Sequence, residues 1–260
     1  MKSRKGLSKK PRILDGSDEV IFSSLPNQVL ANLRYSGSEN ALVWNLIYPL
    51  AKPAIPLKSL MNLPPLWGTV ELGLADEALD LEPYYWGYSI GGRPLSALEA
   101  VLERIDGKGP KTAVDLFLVG EKDIVLVEAK HLGGLGRCSR YARHRCPEIH
   151  PMQEAGEQSC RYWQPGEQEF RLHLEFEDRP RPGDPSPVCN RHYQLARTLL
   201  VGMSLAKELE LTPHLWLILP RNRWRIFEKT WLDFTERVRD EHLWRRLRVL
   251  AWEDVQSLSQ

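Results

Sequence analysis

The stretch VDLFLVGEKDIVLVEAKH, residues 114–131, decides how the chain folds. Two apolar runs flank the polar tetrapeptide GEKD, so the pattern predicts a hairpin with strands near residues 113–119 and 123–130. Three charged residues interrupt these apolar strands, namely Asp115, Glu128 and Lys130. Charged side chains inside buried strands are costly unless they are paired or bind an ion, so these three need a chemical explanation.

Strand geometry brings the three charges to one end of the hairpin. Alternation along a strand puts Glu128 and Lys130 on one face, and a turn at GEKD pairs Asp115 close to Glu128. Two adjacent carboxylates repel unless a cation lies between them, and carboxylate oxygens with water are the ligands that Mg²⁺ prefers. A lysine beside such an ion can position or deprotonate water and offset charge on a phosphorane-like transition state. The spacing favours phosphodiester hydrolysis with Mg²⁺ or Mn²⁺, while an ordinary ion pair at the strand ends remains the alternative.

The elements around the hairpin predict a mixed α/β fold. Ser38 is a favourable N-cap for a first helix, with Glu39 at the positive end of the helix dipole. Helices are predicted from Ser38 to residue 50, at 94–105, at 190–211 and, as one helix or a pair, at 228–250. A central strand is predicted at 214–220, and a last strand followed by a closing helix at 250–258. Residues 51–67 contain several prolines and predict irregular connecting chain. This order predicts a central mixed sheet flanked by helices and no alternating, doubly wound arrangement.

Composition and charge bound the class of protein. The 260 residues are 42% hydrophobic with a net charge of +1, enough for one domain over residues 13–260 with an insertion at about 131–189. Residues 1–12 carry six Lys or Arg and no acid, which predicts a disordered basic tail or an arm that contacts phosphates. Without a long apolar run, the sequence predicts no membrane span and a cytoplasmic protein.

The loop that follows the hairpin is rich in arginine. The segment GRCSRYARHRC, residues 136–146, contains Arg137, Arg140, Arg143 and Arg145 together with Tyr141 and no acid. Because it leaves the charged end of the strand, these arginines are candidates for contacts with nucleic-acid phosphates, and Tyr141 for stacking on a base. A solvated loop is the alternative interpretation.

The spacing D115-x12-E128-A129-K130 resembles the signature of the PD-(D/E)xK nuclease superfamily, which has the restriction-endonuclease-like fold. The chain also resembles a group of bacterial restriction endonucleases in its Ser-Glu helix, its E-A-K strand and its YQL-x-R helix, although Val114 stands where the superfamily motif has proline. The resemblance implies divalent-metal-dependent cleavage of DNA in defence, repair or recombination. It also implies that Glu39 completes a metal site with Asp115 and Glu128, and that Gln194 faces this site.

Two other functions remain open at this point. A subunit with this fold could bind nucleic acid or assemble with other proteins without turnover, or the chain could be a regulatory module built on a cysteine-bound metal with an incidental E-x-K. The expected partners are DNA and either a second copy of the chain or a partner protein in a defence or repair system. The intact Asp, Glu and Lys favour the nuclease.

All four cysteines lie in the insertion, at Cys138, Cys146, Cys160 and Cys189. No C-x-x-C pair is present, so the spacing matches standard zinc modules only weakly. The segment is rich in Gly, Pro and Arg and contains few apolar residues, so a structural Zn²⁺ held by four thiolates would stabilise it. Superfamily members that carry four cysteines suggest an iron–sulfur cluster as a second choice, and unpaired thiols are a third. His144 and His150 are candidate substitute ligands.

Overall fold

The computed structural model describes residues 13–34, 38–51, 55–68, 80–150 and 159–258, so the basic tail at residues 1–12 lies outside the described residues. The strands in these ranges are β1 (Ile55–Pro56), β2 (Asp80–Tyr85), β3 (Tyr88–Ser89), β4 (Leu116–Val119), β5 (Asp123–Ala129), β6 (Thr212–Leu219) and β7 (Leu247–Ala251). The α-helices are α1 (Ile21–Ser24), α2 (Asn27–Asn32), α3 (Glu39–Ile47), α4 (Leu57–Met61), α5 (Leu98–Asp106), α6 (Ser139–Ala142), α7 (Val188–Arg191), α8 (Tyr193–Leu209), α9 (Trp224–Thr235), α10 (Glu241–Trp244) and α11 (Trp252–Ser257). Short 3-10 helices lie at Tyr48–Ala51, Arg161–Trp163, Phe170–Leu172 and Arg221–Arg223.

One mixed sheet organises the fold. Its strands follow the order β1-β2-β4-β5-β6-β7, and β3 pairs with β2. Neighbours from β1 to β5 are antiparallel, whereas β5, β6 and β7 run parallel to one another. The predicted hairpin and the predicted central strand are confirmed as β4, β5 and β6, and the mixed α/β fold class is confirmed with them.

Both faces of β5 are buried against helices, as its apolar sequence requires. Ile124 and Leu126 face a core that includes residues of α5, α8 and α9. Val125, Val127 and Ala129 face a second core that includes residues of α1, α3 and α11. Within the described part of the chain, no helix combines the length and the apolar character that crossing a bilayer requires.

Several predicted boundaries were wrong. Strand β2 was not predicted, because Pro83 and its acidic neighbours are atypical of a strand, yet Pro83 pairs with Leu118 of β4. The predicted irregular segment 51–67 contains β1 and α4, and the second helix begins only at Leu98. The helix or helix pair predicted over 228–250 is a pair, α9 and α10, but residues 247–250 belong to strand β7, since a short apolar run cannot be assigned by periodicity alone.

The insertion contributes to the core, contrary to the prediction that it has little apolar material to bury. Its buried apolar side chains include Tyr162, Trp163, Phe170, Leu174 and Phe176. They belong to the same core as Leu126 of β5 and Leu199 of α8. These residues escaped prediction because they are scattered among charged ones without a helical or strand period. Apolar burial therefore stabilises the described part of the insertion without any metal.

A buried arginine joins the first part of the chain to the sheet. Arg248 of β7 is 1% exposed, and its guanidinium donates to the backbone oxygens of Met61 and Leu63, both at 3.1 Å. The guanidinium carbon lies 5.3 Å from the centroid of the Trp216 ring. Burial lowers the pKa of Arg248 to about 10. The side chain thus satisfies carbonyl groups at the end of α4 that would otherwise be buried without a donor.

Replacing Arg248 should therefore destabilise the fold. We expect Arg248→Met to lower the free energy of unfolding by about 2–4 kcal/mol, because the carbonyls of Met61 and Leu63 lose their donor. The control is Arg245→Met, which removes only an exposed ion pair with Glu241 and should change stability by about 0.5 kcal/mol or less. Urea denaturation measures both, and equal midpoints for the two variants would contradict the anchoring role.

Candidate active site

The candidate site lies at the end of the hairpin that is remote from its turn. Leu116 pairs with Val127, and continuing this register places Asp115 opposite Glu128. Asp115 Oδ2 accepts a hydrogen bond from the backbone nitrogen of Ala129 at 2.8 Å, which fixes the carboxylate against the end of β5. The two carboxylates therefore share one end and one face of the sheet.

Glu128 is fully buried, and two side chains of α8 hold its carboxylate. Gln194 Nε2 donates to Glu128 Oε2 at 2.6 Å, and Thr198 Oγ1 donates to the other oxygen. Gln194 and Thr198 are four residues apart, so they lie on one face of the helix. Four residues further on, a Cβ at Gly202 would lie 2.9 Å from Leu126 Cδ1, so the glycine permits close packing of α8 on β5. Thr198 was not predicted, although its spacing from Gln194 could have identified it.

Glu39 reaches the site from the other side of the sheet. Its Oε2 lies 3.4 Å from Lys130 Nζ, and its Oε1 accepts from the backbone nitrogen of His131 at 3.1 Å. Glu39 is the first residue of α3, and the N-cap Ser38 accepts from the backbone nitrogen of Ala41 at 3.5 Å. The predicted N-cap is confirmed, and it fixes the point at which Glu39 leaves the helix.

The site concentrates negative charge in a buried volume. Burial raises the pKa of Glu128 to about 8, and the neighbouring Asp115 adds to the shift. Burial also raises the pKa of Asp115, although the ammonium of Lys130 opposes the shift. Burial opposes the charge on Lys130, but the carboxylates of Glu128, Asp115 and Glu39 outweigh it and raise the pKa of Lys130. Three carboxylates against one ammonium leave an excess of negative charge, which a divalent cation would offset.

These residues fall within one family match. The model of the family described as "Restriction Endonuclease associating with ARP" matches residues 38–259, a range that includes Glu39, Asp115, Glu128, Lys130 and Gln194. The chain belongs to this family. The predicted restriction-endonuclease-like membership is confirmed, and the mixed sheet flanked by helices is consistent with it. Searches of curated proteins and of solved structures gave no match.

The donor chemistry of this restriction-endonuclease-like site suits a hard divalent cation. Oxygen ligands from Glu39, Asp115 and Glu128 with water are the set that Mg²⁺ and Mn²⁺ prefer. As they stand, however, no three His, Cys, Asp or Glu side chains among the described residues are arranged to hold a metal ion. The fit therefore rests on the charge and type of the donors.

The four cysteines are free, and their chain positions approach one another. The backbone nitrogen of Cys138 donates to Asn190 Oδ1 at 3.1 Å, one residue beyond Cys189. Cys138 and Cys160 line one cavity. The backbone nitrogen of Cys160 donates to Glu148 Oε1 at 2.6 Å, two residues beyond Cys146. Folding thus brings the neighbourhoods of the four cysteines together, although Cys138 and Cys189 are about fifty residues apart in the sequence.

Two of the buried thiols are held in the protonated form, which is not the form that binds a metal ion. Burial raises the pKa of Cys160 to about 12, and the nearby Cys138 and Cys146 add to the shift. Burial also raises the pKa of Cys189, with Cys160 contributing. His144 Nδ1 and His150 Nε2 lie 3.3 Å apart, so these two rings already share a hydrogen bond.

The predicted arginines separate into three places. Arg137 lines a cavity between the α7–α8 junction and α9, beside the candidate active site. Arg140 lines a different cavity, together with Cys138 and Cys160. Arg143 and Arg145 are exposed just after α6. Contacts with nucleic acid remain a prediction for all four, and Arg137 has the most favourable position.

The raised pKa of Glu128 makes stability depend on pH in the absence of metal. From the ordinary value of 4.5 up to about 8, the folded state keeps a proton on Glu128 that the unfolded chain releases, so stability falls as pH rises through this window. Glu128→Gln has no such titration, and its amide can still bond with Gln194 and Thr198. We expect the difference in Tm between this variant and wild type, both in EDTA, to be more favourable to the variant at pH 8 than at pH 5 by about 2–4 °C.

Thermal denaturation at both pH values measures this difference. The exposed Glu241→Gln is the control and should show no such dependence on pH. A constant offset between Glu128→Gln and wild type at pH 5 and pH 8 would contradict the shifted pKa.

Proposed function

We propose that the chain is a nuclease that hydrolyses DNA phosphodiester bonds with a divalent metal ion, Mg²⁺ or Mn²⁺, held by Glu39, Asp115 and Glu128. The observation that carries the proposal is that Asp115, Glu128, Glu39 and Lys130 all lie at one end of β5. The restriction-endonuclease family supports a nuclease in general, and DNA is the substrate that its description suggests. We infer a cytoplasmic location because the substrate would be there.

Each side chain has a distinct task in this proposal. A bound divalent ion would polarise the scissile phosphate and lower the pKa of a water ligand. Lys130 is buried near the carboxylates and can position the attacking water and offset charge on the phosphoryl oxygens. Gln194 and Thr198 hold the Glu128 carboxylate in one orientation, which reduces the reorganisation needed during the reaction.

Two parts of the proposed function have alternatives: which protein the chain assembles with, and whether it cleaves the nucleic acid that it binds. The family is described as associating with ARP, and we infer that this chain also acts with a partner protein, a homodimer being the second option. A subunit that binds nucleic acid without cleaving it is the alternative to the nuclease. The complete set of Asp115, Glu128 and Lys130 favours cleavage, since a silent subunit would have no need to bury three ionisable groups together.

Cleavage should depend on metal and on the buried charges. We expect purified protein to convert supercoiled plasmid to nicked or linear DNA with Mg²⁺ or Mn²⁺ and not with EDTA. Lys130→Ala and Asp115→Asn should each lower the rate by about 10²–10³-fold, because each removes a charge from the reacting centre. Gel electrophoresis follows the reaction, and circular dichroism establishes that each variant is folded.

Lys207→Ala is the matched control, since Lys207 is exposed and pairs with Glu167 on the surface. Its cleavage rate should equal that of wild type. Undiminished cleavage by Lys130→Ala or Asp115→Asn would exclude the assigned residues. Wild-type protein that binds DNA but leaves it intact with either metal would favour the silent subunit.

We further propose a structural Zn²⁺ bound by Cys138, Cys146, Cys160 and Cys189, with an iron–sulfur cluster as the second choice. The approach of the four chain positions supports it, as does the mutual effect of the thiols on one another's pKa. Metal binding requires thiolates and releases protons, so Zn²⁺ would lower the high pKa of these groups. The core contacts of the insertion mean that zinc would add to its stability and would not create it.

Elemental analysis of the purified protein tests the zinc proposal. We expect about one zinc per chain, a colourless solution, and loss of the metal in Cys160→Ser and Cys189→Ser. The control is the exposed Ser139→Ala, in the same segment, which should keep its zinc. Iron with a brown colour would assign a cluster instead, and four thiols that react in the native metal-free protein would exclude both metals.

A further inference from the structure

A cavity of about 560 Å³ lies beside the candidate active site. Three parts of the chain form its walls: the segment after Lys130, the junction between α7 and α8, and one side of α9. The lining residues used below are Arg137, Arg191, His192, Ile226, Lys229 and Asp233. Of these lining residues, only Arg137 is one of the four arginines that the sequence predicts to contact nucleic acid.

The cavity wall is bonded directly to the catalytic machinery. Gly136 donates its backbone N–H to Gln194 Oε1 at 2.7 Å, while the backbone nitrogen of Gln194 donates to the oxygen of Gly136 at 3.2 Å. The same Gln194 side chain donates to Glu128. Arg223, at the start of α9, donates to the backbone oxygen of Leu132 at 2.9 Å. Gln194 thus bonds both to Gly136, the neighbour of Arg137, and to Glu128. A nucleic-acid strand in the cavity would therefore lie close to the carboxylates.

Positive charge dominates the lining. Asp233 is the acid of the cavity, and its charge is paired with Arg237 at 3.0 Å and Arg191 at 3.5 Å. His192 Nε2 lies 2.7 Å from the same carboxylate, and burial lowers the pKa of this histidine, so it is a hydrogen-bond partner. Arg137 and Lys229 form no ion pair with any described residue and face a common space. Two such cations beside a phosphodiesterase site suit consecutive phosphates of a nucleic-acid strand.

An apolar surface accompanies the charges. Ile226 is 65% exposed although it lies on a helix whose other side is packed in the core. Phe227, the next residue, is buried and lines the same cavity. An exposed aliphatic side chain in a positively charged cavity can contact the face of an unstacked base. A free phosphate or another small anion has no apolar surface that could make this contact.

We propose that this cavity binds the DNA strand next to the scissile phosphate, with Arg137 and Lys229 on successive phosphates and Ile226 against a base. The proposal deepens the proposed nuclease function and rests on it. Arg191 and His192 hold Asp233, which keeps the acid from repelling the strand. The binding residues come from two parts of the wall, the segment after Lys130 and α9, so the strand would contact both.

Binding is measured by fluorescence anisotropy with full-length protein and a labelled DNA duplex that has a single-stranded overhang, in EDTA and over a range of salt. Arg137→Gln and Lys229→Gln should each weaken binding and reduce the slope of log affinity against log salt by about one. Ile226→Ser should weaken binding without changing the slope, because it removes no charge.

Arg93→Gln is the matched control. Arg93 is an exposed arginine that lines a cavity near the β4–β5 turn, at the opposite end of the hairpin. Its affinity and slope should equal those of wild type. An unchanged affinity and slope in the Arg137→Gln/Lys229→Gln double variant would overturn the proposal and leave the cavity to a partner protein. An equal loss in Arg93→Gln would also overturn it, since the effect would then reflect overall charge.

Failure of this proposal and failure of the nuclease proposal are distinguishable. The binding experiment contains no metal and requires no turnover. Protein that never cleaves DNA but loses salt-dependent affinity in Arg137→Gln and Lys229→Gln would support the cavity and contradict the catalysis. Protein that cleaves DNA at the wild-type rate in both variants, with unchanged affinity, would support the catalysis and contradict the cavity.

Discussion

The pairing of β4 with β5 is the constraint on which the candidate site depends. Leu116 lies opposite Val127, so Asp115 comes to stand opposite Glu128. A shift of one residue would turn every side chain of one strand to the other face, removing the carboxylates from each other and burying polar groups in an apolar core. Because both faces of β5 are packed against helices, the cores themselves enforce the register and keep the like charges together.

Helices on opposite faces of the sheet complete the site. Glu39 reaches it from the start of α3, and Gln194 and Thr198 reach it from the first turns of α8. The burial of these charges is unfavourable without a cation, as the raised pKa of Glu128 indicates. Such a local loss of stability is common where function requires it, and the apolar packing around β5 offsets it. Membership of a restriction-endonuclease family agrees with this interpretation.

The insertion links three features that appear unrelated along the chain. Its aromatic residues join the core under α8, its cysteines approach one another near Asn190, and its first segment forms a wall of the basic cavity. The bonds between Gly136 and Gln194 connect that wall to the Glu128 carboxylate. A change in the insertion can therefore affect both the basic cavity and the orientation of Glu128, because both adjoin the same glutamine.

The sequence by itself determined the hairpin, the buried central strand, the Ser38 cap and the fold class, since strand alternation and capping are local properties that a few neighbouring residues encode. The resemblance of the D-x12-E-x-K spacing led to the family, and the family match confirmed it. Only the tertiary structure decided which polar residues meet, namely Thr198 on Glu128 and Arg248 on the carbonyls of Met61 and Leu63. It also decided that Lys229 and Arg137 line one cavity. It also decided that the insertion packs its aromatic residues in the core. These contacts join residues far apart in the chain, and their partners are selected by the packing of helices on the sheet, which no local pattern records.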